Sequence, residues 1–89
     1  MTPEQLLLVA REFCAQHKVT VTNFGALVAA ASLSTAKMEG IAIHGNRVQA
    51  ARAIRDLLVA YPALNAHNDA FATVCARVYM EIEDRLSLR

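Results

Sequence analysis

The chain has 89 residues, enough for one domain spanning 1–89 and no more. Hydrophobic residues make up 55% and aromatic residues 6%, with no tryptophan, three glycines and two prolines. Such a composition excludes an all-β domain, which needs turn residues at short intervals, and an aromatic-lined ligand pocket. The net charge is only +1, so no strongly basic or acidic surface dominates the molecule.

The first helix is written at the N-terminus. Thr2-Pro3-Glu4-Gln5 supplies an N-cap threonine, a proline at the first helical position and a glutamine that completes a capping box. Leu6, Val9, Ala10, Phe13 and Cys14 then recur at helical spacing, and His17-Lys18 place positive charge near the end. Glu4 and Gln5 stand where a secretory leader would carry basic residues, so the expected location is cytoplasmic. In that compartment Cys14 and Cys75 are expected to be reduced.

Val19 to Val21 is β-branched and short, and reads as a linker with no strand to pair with. Thr22 or Asn23 caps a second helix from Phe24 to about Ala31. A third is expected from Ser34 through Met38 to about Ile43, and a fourth from Asn46 to Pro62. The fourth carries Val48, Ala51, Ile54, Leu58 and Tyr61 on one face. Residues 19–36 hold no charge, but Thr20, Thr22, Asn23, Gly25 and serines interrupt them, so no membrane span is expected. A last helix begins after Asn65 or Asn68, with Phe71, Val74, Cys75, Val78, Ile82 and Leu86 as its stripe. Alanines and Met80 soften its opposite face, which implies burial on more than one side. The expected fold is all-α: a compact bundle of about five helices, closed by a C-terminal helix for packing and dimerisation. Phe71, Val74, Val78 and Ile82 are the expected dimer interface.

The segment from Leu27 to Ile41 places two short helices around a turn at Ser32, with Leu33 as an apolar plug and Ser34 as a cap. With Leu27, Val28 and Met38 it resembles the helix-turn-helix of phage-repressor-like regulators, over roughly residues 13–61. It departs from that pattern at Val28, usually alanine, and at Ser32, usually glycine. The resemblance implies a small dimeric regulator of double-stranded DNA, with Thr35 and Lys37 reading the groove. Lys18, Ser34, Arg47, Arg52 and Arg55 would hold phosphates. Charge agrees: between residues 18 and 55 the cations Lys18, Lys37, Arg47, Arg52 and Arg55 face Glu39 alone. The recognition helix nevertheless lacks arginine, the commonest base reader.

A different class of function fits the apolar surplus, namely a helical interaction module binding a partner protein, such as an inhibitor, antitoxin or phage-encoded adaptor. Thr35-Ala36-Lys37-Met38-Glu39-Gly40 resembles the inhibitory motif of antitoxins for Fic-family AMP-transferases, which would make Glu39 the inhibitory residue. Cys14 and His17 have the spacing of half a zinc site, but His67 and Cys75 are not a matching pair. No metal or cofactor is expected. Glu81, Glu83 and Asp84 beside Arg77 and Arg85 read as a solvated face with ion pairs, and no catalytic motif occurs, so the chain is not expected to be an enzyme.

Overall fold

The computed structural model describes the backbone of residues 1–34, 37–38, 41–42 and 47–87, and the side chains of 1–33 and 48–83. Among the described residues there are four helices: α1 (Pro3–His17), α2 (Phe24–Ser34), α3 (Arg47–Ala60) and α4 (Asn68–Ser87). Between α2 and α3 lie two strands of two residues, β1 (Lys37–Met38) and β2 (Ile41–Ala42). The predominantly helical character expected from the sequence is therefore present.

The start of α1 is the capping box that its sequence predicts. The Gln5 N–H donates to Thr2 Oγ1 at 3.1 Å, and the Thr2 N–H donates to Gln5 Oε1 at 2.8 Å. Two of the donors that a helix start leaves unpaired are thus satisfied reciprocally. At the other end Lys18 turns left-handed (φ 55°), and its N–H and that of Val19 both donate to the Cys14 carbonyl.

Two features of the middle differ from the sequence expectation. Ser32 is not a turn residue: α2 continues to Ser34, and the Ser32 hydroxyl donates back to the Val28 carbonyl at 3.0 Å. A serine can remain helical by this back-bonding. Nor is there a helix where Lys37–Met38 and Ile41–Ala42 lie. They pair antiparallel, Lys37 with Ala42 and Met38 with Ile41. Gly40 would cost a helix about 1 kcal/mol relative to alanine, and isoleucine at 41 and 43 favours extended backbone. Residues 35–36, 39–40 and 43–46 lie outside the described residues.

The linker after α1 does find a partner. Val21 bridges Leu64 antiparallel, and the Thr22 and Asn23 N–H groups both donate to the Ala63 carbonyl. Thr20 and Asn65 close the pairing: the Asn65 N–H donates to the Thr20 carbonyl, and the Thr20 N–H to Asn65 Oδ1. Pro62 ends α3, so the next residues are extended and available for this clasp. Asn68 then locks the turn into α4, its Oδ1 accepting from the Leu64 N–H and its Nδ2 donating to the Leu64 carbonyl. Leu64 itself is buried. Replacing Asn68 by alanine strands both backbone groups, and the expected loss is roughly 2–3 kcal/mol. Urea denaturation should show a smaller loss for Asn68→Asp, which keeps the acceptor and suits a helix start.

The core runs through all four helices, with Leu6, Leu27, Ile54, Leu58 and Phe71 fully enclosed. Both α2 and α3 bury small residues in the core, Ala26, Ala30 and Ala31 on α2 and Ala50 and Ala51 on α3. Alanine lets helix axes approach closely, which explains how a chain so rich in it still builds a core. Val48 and Tyr61, expected on the inner face of the fourth helix, are instead exposed. Tyr61 lies just past the end of α3, and Val48 is turned off the Ile54–Leu58 sector.

Candidate functional site

Of the residues nominated for DNA contact, the side chains of Lys18, Arg52 and Arg55 are described, and all three are exposed. Lys18 ends α1 beside the Thr20–Asn65 clasp, just beyond the C-terminal end of α3. Arg47 begins α3, a helix about 20 Å long. Arg52 and Arg55 are exposed on α3, and Arg55 Nη2 meets Asp56 Oδ1 at 3.3 Å, a surface pair of little energetic weight. A hollow between α3 and α4 holds Arg55 and Arg77 but also Glu81 and Met80, so it is not a dedicated anion site. Lys37 lies on β1 rather than on a recognition helix. The side chains of Ser34, Lys37 and Arg47, and all of Thr35 and Glu39, lie outside the described residues, so the antitoxin-like motif does too.

The nominated interface residues on α4 divide into two groups. Phe71 is wholly enclosed in the chain's own core, its ring edge-on to Phe13 at 5.4 Å between centroids. It has no surface to offer a second subunit. Val74, Val78 and Ile82 are half-buried, and Val74 and Val78 share a wall of a groove between α1 and α4. That groove is a hollow of about 420 Å³. Leu8, Val9 and Phe13 form the facing wall and floor, with Glu12, Gln16 and His17 along the rim. Glu12 and Gln16 are joined by a hydrogen bond of 3.2 Å.

Leu8 is a groove residue that the helical spacing of apolar positions does not single out. Its relative exposure is 64%, high for a leucine. The signal lies in Leu6-Leu7-Leu8: three consecutive residues of a helix span about 200°, so an all-leucine run cannot lie in one buried stripe. One of the three must face out.

The groove closes at one end on an aromatic stack. The His17 ring lies over Phe13 at 4.2 Å with planes 27° apart, and His67 approaches His17 at 5.6 Å, tilted by 45°. His67 holds a left-handed backbone (φ 60°), and its carbonyl accepts from the Phe71 N–H to open α4. Of the four residues weighed for zinc, the structure thus brings His17 and His67 together. Cys75 is fully buried with its thiol pushed up to about 12 by desolvation, while Cys14 is half-buried, and both are free. No group of three or more metal-ligating side chains occurs among the described residues.

Among the described residues the core is built from apolar residues, cysteine and tyrosine, with no other polar or charged residue buried. No described helix is long and apolar enough to cross a membrane. No protein-family model, curated protein or solved structure matches this chain.

Proposed function

We propose that the chain is a helical protein-interaction module whose α1–α4 groove receives an apolar helix of a protein partner. The observation that carries this reading is the groove itself, walled by Leu8, Val9, Val74 and Val78 and left open beside a strongly exposed leucine. Helix-in-groove binding places residues at i, i+3, i+4 and i+7 of the incoming helix into such a cleft, and the polar rim fixes its register. Glu12 on that rim suits a basic residue flanking the apolar stripe of the partner. Both a second copy of this chain and a different protein satisfy this chemistry. The DNA-regulator reading draws on Lys18, Ser34, Thr35, Lys37, Arg47, Arg52 and Arg55, of which only Lys18, Arg52 and Arg55 have described side chains.

A photo-crosslinking amino acid at position 8, introduced into the full chain in its own cells, tests the proposal. A dominant protein adduct is expected from position 8 and none from a probe at Arg52. The adduct should vanish with Val78→Asp, which should weaken binding at least about thirtyfold if Val78 is a central contact. Absence of any adduct at position 8, together with retention of the chain on DNA that falls with rising salt, would overturn it in favour of the DNA reading.

A further inference from the structure

We infer that His17 and His67 form a two-histidine chelate for a divalent transition metal ion of the zinc, nickel or copper type. The argument starts from distance. A metal bound about 2.0–2.1 Å from an imidazole nitrogen sits about 3.2 Å from the ring centroid. With a nitrogen of each ring turned to one ion between them, two centroids 5.6 Å apart subtend about 120° at it, close to a tetrahedral opening. Two rings packed face to face would leave no room for a shared ion, but these are tilted by 45°.

The ring of His17 and the backbone of His67 are also held in advance. His17 is stacked on Phe13, which is itself locked against buried Phe71, so the plane of the imidazole is fixed by the core. His67 holds a φ of 60°, where a side chain other than glycine is uncommon and worth an explanation. Its ring meets that of His17 at the end of α1, while its carbonyl opens α4. Both histidines are exposed, so water can complete the coordination shell. Imidazole nitrogen suits zinc, copper and nickel and does not suit magnesium or calcium, which fixes the class of ion. Bound there, the metal would tie the C-terminal end of α1 to the start of α4.

The test titrates the full chain with zinc chloride, followed by calorimetry and by the ring nitrogen shifts of all three histidines. One ion per chain is expected, with the His17 and His67 resonances moving together and that of His44 unmoved. His17→Gln and His67→Asn should each weaken binding at least about tenfold, asparagine being chosen because it tolerates the left-handed backbone. His44→Ala should bind as the unaltered chain does. The nitrogen shifts of the unaltered chain decide the matter whether or not a variant folds. Coordinated movement of His44, retention of affinity in either single variant, or no shift at millimolar zinc would show two packed imidazoles only and overturn the inference.

Discussion

Phe71→Ala is expected to destabilise the chain by about 3–5 kcal/mol, the usual cost of emptying an aromatic site in a closed core. Phe71 is wholly enclosed, and its contact with Phe13 couples α4 to α1 across the centre of the molecule. The lost terms are the transfer of a large ring, the edge-to-face contact, and a cavity that two helices cannot collapse into without moving the His17 stack. A domain of this length has only about 4–13 kcal/mol to lose. Urea denaturation followed by circular dichroism should therefore show a midpoint shifted by a large part of its range. Thermal unfolding should fall by roughly 15–30 °C. The contrast is Val78→Ala, where a half-buried groove residue should change stability by less than about 1.5 kcal/mol. If Phe71→Ala left stability intact and altered only association, Phe71 would belong to a subunit interface and its place in the core would be wrong.

That contrast also shows which kinds of information the sequence carries. Local signals act within one turn, so Thr2 and Gln5 specify the start of α1 and Pro62 follows the end of α3, and each can be read from neighbouring letters. The stripe Phe71, Val74, Cys75, Val78 identifies α4 equally well, but periodicity gives the direction of a face and not its depth. Whether Phe71 points at a neighbouring helix or at another molecule depends on where Phe13 lies, and nothing local to α4 encodes that. The clasp between Val21 and Leu64 is illegible for the same reason. Each segment is too short to announce a strand, and each acquires its pairing only because α1, α3 and α4 bring the two linkers side by side. The stretch from Lys37 to Ala42 fails differently. Met38 and Ile41 satisfy the hydrophobic spacing of the plug-and-turn pattern that runs from Leu27 to Ile41, yet Gly40 and Ile41 oppose a helix. A pattern of hydrophobic positions does not weigh propensity against spacing. Of the groove, Val74 and Val78 are legible as apolar and available, whereas Leu8 and the approach of His67 to His17 need the tertiary structure.

A second large effect is expected at alkaline pH. The Cys75 thiol is fully buried, and desolvation raises it from an ordinary 9.0 to about 12. Between those values the unfolded chain has released the proton and the folded chain still holds it. Rising pH therefore favours unfolding, by up to about 1.4 kcal/mol per pH unit from this group alone. Tyr79, raised by desolvation and then by the carboxylate of Glu83, acts in the same direction above its ordinary 10.0. Below pH 9 neither group contributes a slope, and the full stability they confer is present. Denaturation midpoints measured from about pH 8 to 11 should accordingly fall with increasing steepness. Cys75→Ala, which leaves only a small void, should remove most of the slope between about 9 and 10 while lowering stability modestly at about pH 8. Thiol reagents offer an independent check at about pH 8: the native chain should leave Cys75 unmodified, and denaturant should expose it. A slope unchanged in Cys75→Ala, or rapid modification of Cys75 in the native chain, would mean that the thiol reaches water and that the Phe71 side of α4 is less closely packed than its burial implies.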